Sequence, residues 1–379
     1  MIQKVRLAMI GGGQGAFIGA VHRHAIGMDG QYELVAGAFS RNPDNNQQTA
    51  AQLGICPSRA YSTWQDLLQS EAALPPDQRI EAITIVTPND THVPIAVAAA
   101  KLGFHVMCEK PLGVSSSEAM ELAHTLQQSN TFFALAHTYI GYPMVWQARH
   151  MVASGTIGKV RKILVEYPQG WLTELIEHEN KQAAWRTDPA QSGASGCMGD
   201  IGTHAYNLAE FVSGHNIQRL SAMLNTVVEG RHLDDDGAAH FRTEQGASGT
   251  LIASQICAGE ENAPKVRVYG ELGGLMWTHA EPNSLIHMPH NSPKRVLRAG
   301  SGMPELCDAA NELCRTPGGH PEGYLEAFAN LYTLFAKQIR HTAMPQDLIA
   351  PGITAGLRGM AFIDAMLASA KADSAWVNI

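Results

Sequence analysis

Apolar positions in the first 137 residues come as short β-rich runs separated by stretches with helical spacing. Runs at 5–10, 32–39, 82–86, 105–108 and 132–136 read as strands, while 95–102 and 117–126 carry apolar residues at helical intervals. Strands alternating with helices predict a parallel sheet with crossover helices. After about Tyr139 the pattern changes. A helix near 144–153 is followed by β-rich runs at 160–167, 220–228, 247–256 and 265–269, with turns in place of intervening helices. That predicts an antiparallel or mixed sheet in an α+β domain. Helical segments at 324–339 and 353–371 close the chain, and the Pro- and polar-rich segments 70–79 and 281–303 read as surface excursions. The expected organisation is an α/β protein with one domain at 1–137 and a second at 138–379.

Composition narrows the function classes. The 379 residues are 45% apolar and 16% charged, enough for two buried cores and unlike a disordered chain. An excess of 35 acidic over 27 basic residues, with no basic cluster, argues against a nucleic-acid partner. Because no apolar run approaches the roughly 20 residues needed to cross a bilayer, no membrane role and a cytoplasmic address are expected. Six cysteines lie scattered without a C-x-x-C pair, so neither a disulfide framework nor a zinc site is expected. His279, His287 and His290 read as loop residues without supporting carboxylates, and Asp234-Asp235-Asp236 as a hydrated turn. No metal is expected.

The first chemical signal is Gly11-Gly12-Gly13-Gln14-Gly15-Ala16, placed after a strand and before a helical run starting at Phe17. In that context glycines let backbone N–H groups and a helix N-terminus approach a pyrophosphate, which predicts a Rossmann dinucleotide-binding domain. The fingerprint fits Gly11-x-Gly13-x-x-Ala16 or a frame shifted by two. The second strand ends in Ser40-Arg41-Asn42, with no carboxylate for the adenosine ribose. A hydroxyl followed by a guanidinium suits a 2′-phosphate, so the cofactor is NAD(P) with a slight preference for NADP. Thr87-Pro88-Asn89 with His92, and Glu109-Lys110-Pro111, stand at further strand ends, where open α/β sheets bind ligands. In the second half, Asp200 and His204 are four residues apart, so a helix would place them on one face beside Gly202.

Taken in order, the glycine turn, Thr87-Pro88-Asn89 with His92, Glu109-Lys110-Pro111 and Asp200-x-Gly202-x-His204 resemble the Gfo/Idh/MocA family of glucose-fructose oxidoreductases and inositol dehydrogenases. The resemblance runs over almost the whole chain. It implies an N-terminal Rossmann domain, a C-terminal α+β domain built on an open, mainly antiparallel sheet, and hydride transfer between a nicotinamide and a hydroxyl- or carbonyl-bearing carbon of a sugar, cyclitol or related polyol. It also implies Lys110, Asp200 and His204 as the catalytic residues, and Trp185-Arg186 as a loop segment that reaches back to the cofactor. Lys110 and His204 would share proton removal and alkoxide stabilisation, in either assignment, and Asp200 would orient its neighbours. Tyr142, Gln169, Trp171 and His320 are the polar and aromatic candidates for a polyol pocket. Two other readings stay open: a glycosidase that oxidises its sugar transiently with a tightly held NAD, and a non-catalytic dinucleotide-binding regulator. The β-rich second half predicts a homodimer or homotetramer, since an open sheet needs its second face covered.

Overall fold

The computed structural model describes residues 3–345 and 348–379, and the chain divides into two units. In the first unit, β1 (Val5–Gly11), β2 (Tyr32–Ala38), β3 (Ala82–Val86), β4 (His105–Cys108) and β5 (Phe133–Leu135) form a parallel sheet in the order β2-β1-β3-β4-β5. All five residues of β3 are buried, as expected of a strand covered on both faces. The helices between the strands are α1 (Phe17–Met28), α2 (Pro43–Gln52), α3 (Trp64–Ala72), α4 (His92–Lys101) and α5 (Ser116–Gln128). Because β2 and β3 flank β1 on opposite sides, the strand order reverses there, and the carboxyl edge at that reversal is the place for a ligand.

Helices α2 and α3 escape the apolar pattern. The buried face of α2 is Asn46, Thr49 and Ala50, so it has no apolar stripe, and its start is set by Pro43 and by Asn42, whose side chain accepts the Asn45 N–H. Thr63 caps α3 in the same way, so 70–79 begins as the end of a helix.

The second unit is built on β6 (Val160–Pro168), β7 (Ile217–Asn225), β8 (Asp236–Thr243), β9 (Ser248–Ser254), β10 (Lys265–Gly270), β11 (Gly273–Thr278), β12 (Ser284–Pro289), β13 (Arg295–Arg298) and β14 (Val377–Asn378). Their order is β13-β12-β11-β10-β6-β9-β8-β7-β14; β6 and β9 run parallel and every other pair antiparallel. Its helices are α6 (Pro143–Ala153), α7 (Lys181–Arg186), α8 (Pro189–Ser192), α9 (Thr203–Ser213) and α10 (Asp308–Glu312). Helix α9 packs on β6, β9 and β10, and α6 on β11 and β12. On alternate positions a register row runs Val296, Ile286, Met276, Arg267, Leu164, Thr250, His240, and all of these are half-buried or exposed.

Three expectations need correction. Segment 281–303 is not a surface excursion, because it contains β12 and β13, the edge of the sheet, and His287 lies on β12. The aspartate run is not hydrated: Asp235 is fully buried, accepting from the N–H groups of Val227 and Val228 and from Arg231. Asp234, also buried, accepts from Ser195 Oγ and from the N–H groups of Gly196 and Met198. The last correction concerns apolar length.

After α10 come α11 (Tyr324–Ile339) and α12 (Ile353–Lys371). Residues Tyr324–Leu357 belong to the first unit, a return absent from the two-domain reading, with α11 packed on α1. Helix α12 has 19 residues and, by length and composition alone, is apolar enough to cross a membrane. Its Phe362, Ile363, Ala365 and Met366 are buried, and Phe362 stacks on Tyr206 with ring centroids 4.6 Å apart.

Candidate active site

The glycine turn leaves β1 at the reversal point. Gly11, Gly12 and Gly15 have φ of +85°, +74° and +80°, a left-handed backbone that other residues rarely adopt. A Cβ on Gly19 would lie 2.3 Å from the Cα of Gly12, so the turn and α1 touch backbone to backbone. The N-cap of α1, Ala16, offers no side-chain acceptor, and a Cβ on Gly15 would meet open space. An uncapped helix start behind an open glycine is a fitting cradle for a dinucleotide pyrophosphate. Asn45 of α2, which sequence reasoning missed, staples the turn: its Oδ1 accepts the Gln14 N–H at 3.0 Å and its Nδ2 donates to the Gln14 carbonyl at 3.0 Å. Ser40 Oγ accepts the Asn42 N–H at 3.1 Å, and Arg41 is exposed.

The other strand ends meet on the same rim. Register pairs Gly11 with Val86 and Ile85 with Cys108, so Thr87 and Lys110 emerge side by side from neighbouring strands. The Thr91 hydroxyl lies 2.7 Å from the Thr87 hydroxyl, and Asn89 is buried. His92 is buried, with its ring nitrogens 2.8 Å from the Pro111 carbonyl and 2.9 Å from the Thr87 carbonyl. It therefore ties the two loops together, and burial pushes its imidazole down against the pull of those carbonyls. The Lys110–Pro111 bond is cis. Glu109 is buried beneath Lys110: its carboxylate accepts the Lys110 N–H at 3.1 Å and lies 2.8 Å from His22 Nε2. Burial pushes Glu109 up, but the His22 bond and charge, the Lys110 charge and the Lys110 N–H outweigh it, holding the carboxyl below the usual range. Sequence reasoning also missed His137, which burial and the Lys110 charge push down to about 3.

In the second unit, Asp200 does not lie on a regular α-helix. Met198–Gly202 is a π-helical turn running into α9, and α9 carries the buried His204. Such turns often mark functional sites. Asp234 fixes the backbone entering the turn through its bonds to Gly196 and Met198, while Gln255 donates to Asp200 Oδ2 at 2.9 Å. Trp185-Arg186 is not a loop segment but the end of α7. Arg186 lies 3.4 Å from Asp200 Oδ2 and sits over the Trp185 and Trp171 rings at 4.2 and 6.0 Å.

Around His204 lies a band of phenols and amides. Tyr139 meets the His204 ring edge-on at 5.0 Å and hydrogen-bonds the Tyr167 hydroxyl. Asn262 donates to Tyr139 at 3.1 Å and accepts from Gln169 Nε2 at 2.7 Å, and Gln169 accepts from Trp171 Nε1 at 3.1 Å. Burial pushes the Tyr139 phenol up to about 12. Tyr142 is buried, 3.0 Å from His279 Nε2, and His279 Nδ1 faces the Asn262 carbonyl at 2.9 Å. His279, in the turn after β11, is thus a half-buried member of this band. Of the residues marked for a polyol pocket, Tyr142, Gln169 and Trp171 join the network, whereas His320 stands on an exposed turn with its N–H on the Pro317 carbonyl. Tyr139, Tyr167, Asn262 and Gln255 were missed because isolated phenols and amides carry no spacing signal. Among the described residues no cluster of His, Cys, Asp and Glu is suited to a metal ion.

Comparison with known proteins agrees with this geometry. Residues 5–137 match the oxidoreductase family with an NAD-binding Rossmann fold, GFO_IDH_MocA, and residues 145–276 match a GFO/IDH/MocA C-terminal domain. An uncharacterized oxidoreductase of Bacillus subtilis, YfiI, is 32% identical over 99% of this chain and 96% of its own length. The crystal structure of an oxidoreductase from Sinorhizobium meliloti is 44% identical, with a TM-score of 0.89 over 99% of this chain and 100% of that one. An inositol dehydrogenase homolog from Azotobacter vinelandii, solved with NAD+, is 35% identical with a TM-score of 0.95, covering 100% of this chain and 98% of that one. The same homolog has been solved with NADH and myo-inositol.

Proposed function

The chain belongs to the Gfo/Idh/MocA family of NAD-binding oxidoreductases, and on that premise we propose that it is a dehydrogenase acting on an uncharged sugar, cyclitol or related polyol. It is an NAD(P)-dependent enzyme. The observation that carries the substrate class is the band around His204. Tyr139, Tyr167, Gln169, Trp171 and Asn262 offer neutral donors and acceptors suited to hydroxyls, and the nearby cation, Arg186, is already paired with Asp200. A phosphate or carboxylate on the substrate would find no free countercharge in that set.

When bound, the nicotinamide supplies the hydride acceptor or donor. The glycine turn and the start of α1 would hold its pyrophosphate, with Gly11, Gly13, Gln14, Gly15 and Ala16 forming the cradle and Thr87, Pro88 and Asn89 the neighbouring wall. Lys110 and His204 divide two tasks, taking the proton from the reacting hydroxyl and stabilising its oxygen. Asp200 orients, and Arg186 and Gln255 hold Asp200 in turn. The inositol dehydrogenase homolog with its bound myo-inositol supports this substrate class.

NADP is expected to bind at least as tightly as NAD, because Ser40-Arg41 presents no carboxylate to the ribose. Titration of both cofactors checks this, and Ser40→Asp is expected to weaken NADP about tenfold by placing like charge near the phosphate. The half-exposed outer row of the second unit's sheet supports a homodimer or homotetramer, which light scattering at micromolar concentration would reveal. A cytoplasmic address, where nicotinamide cofactors are pooled, accompanies this reading.

The deciding experiment is a panel of neutral polyols, sugar phosphates and nitrophenyl glycosides with each cofactor, followed at the nicotinamide absorbance and by aglycone release. Net reduction with neutral polyols is the expected result. Aglycone release without net reduction would assign the NAD-dependent glycosidase instead, and no turnover with any class would leave a dinucleotide-binding regulator.

A further inference from the structure

Below the rim of the first unit runs a chain of buried polar side chains that the proposed chemistry does not use. Thr84 of β3 and His22 of α1 are fully buried, Tyr332 of α11 is 2% exposed and Glu109 is 7% exposed. Thr84 Oγ1 is 2.7 Å from Tyr332 Oη, Tyr332 Oη is 2.6 Å from His22 Nδ1, and His22 Nε2 is 2.8 Å from Glu109 Oε1. The other carboxylate oxygen, Oε2, accepts the backbone N–H of Lys110.

Every link can be satisfied, because each hydroxyl both donates and accepts. His22 Nε2 donates to the Glu109 carboxylate, Nδ1 pairs with the Tyr332 hydroxyl, and the Tyr332 and Thr84 hydroxyls share a hydrogen bond in which either can donate. The tyrosine is held at both ends, because its backbone carbonyl accepts from Tyr32 Oη at 2.7 Å and its ring meets His22 and Tyr32 edge-on at 5.7 and 5.4 Å. Three separate stretches of chain thus converge on the peptide that carries Lys110, and every member is buried where a missing partner is costly.

We propose that His22 and Tyr332 are positioning residues for Lys110, acting through Glu109 to fix the peptide from which the lysine side chain projects. This rests on the reading of Lys110 as catalytic. A residue buried beneath a reacting group contributes by narrowing its range of positions, so the effect falls on turnover and not on cofactor binding.

The test uses Tyr332→Phe and, as a second variant that keeps a hydrogen-bonding side chain, His22→Gln, both in the full-length protein. One readout needs no substrate: competitive acetylation with acetic anhydride, quantified lysine by lysine by mass spectrometry. Lys110 is expected to change its labelling rate threefold or more in both variants, while the other lysines stay within experimental scatter and NADH affinity stays within twofold. Turnover on the best polyol from the panel is expected to fall about tenfold in each variant, and this loss is expected to vanish when the same changes are made in a Lys110→Ala background. Unchanged Lys110 labelling in both folded variants, or an equal turnover loss with and without Lys110, would overturn the positioning role. Wild-type turnover in Lys110→Ala alone would instead overturn the catalytic reading, so the two failures are distinguishable.

Discussion

Lys110 and His204 are embedded in opposite ways. Lys110 projects from a peptide pinned from below by the Glu109 carboxylate and spanned by His92, with contacts made by buried residues. His204 meets the rings of Tyr139 and Tyr167, which hydrogen-bond a set of amides, several of them half-buried, in neutral bonds that a ligand's hydroxyls could replace. Rigid burial suits a group whose position must not vary, whereas exchangeable neutral bonds suit recognition of a hydroxylated ring. On the proposed function, the surroundings of Lys110 fix its position and the band around His204 recognises hydroxyls.

The strongest way to break this contrast is to remove its two centres. Lys110→Ala and His204→Ala are each expected to lower kcat by roughly 10²- to 10⁴-fold with cofactor affinity nearly intact, measured by steady-state kinetics and NADH titration. A smaller loss, about tenfold, is expected for Asp200→Asn, which keeps the side chain's shape but removes the charge opposite Arg186; a loss equal to that of His204→Ala would make Asp200 a direct participant in proton transfer. Asn262→Ala should separate the two environments. It is expected to raise KM for the polyol several-fold, with kcat and the cofactor Kd almost unchanged, because the Asn262 side chain bonds Tyr139, Tyr167 and Gln169, all members of the band around His204.

The smallest effect is on stability. His137, held near 3 in the folded protein, titrates near 6.5 when unfolded, so the unfolded chain takes up the proton first as pH falls. Its contribution is complete above about pH 6.5 and is lost as pH falls toward the folded value, at most about 1.4 kcal/mol per pH unit. Urea denaturation at pH 7 and pH 5 is expected to show a smaller pH-dependent loss in His137→Leu than in the wild type. Equal losses would mean that His137 is not the group that resists protonation.

Much of the first unit was legible because fully apolar strands such as Ala82–Val86 and a glycine turn between strand and helix are local signals. Helix α2 was not, since its buried face is amide and hydroxyl; nor was β8, whose Asp236-Gly237-Ala238-Ala239 start lacks the branched apolar residues of a strand. In the candidate site, Lys110, Asp200 and His204 stood out because charged or titratable residues sat at strand ends or at regular spacing. Asn262, Gln255, His22 and Tyr332 did not, because their meaning depends on partners far along the chain: Tyr332 lies 310 residues from His22 and 248 from Thr84. Even where spacing suggested a shared helical face for Asp200 and His204, the π-helical turn changed the geometry.

The return of Tyr324–Leu357 to the first unit has a consequence for biosynthesis. A ribosome that has released only the first 138 residues has exported every strand of the nucleotide sheet, yet α1 still lacks its partner α11 and His22 lacks the Tyr332 hydroxyl. That unit is therefore finished only once residues 324–357 have also been translated. A fragment cut after Thr138 is expected to expose the α11-facing side of α1 and to recruit chaperones, whereas appending 324–357 through a short linker is expected to yield a soluble, NADH-binding miniature.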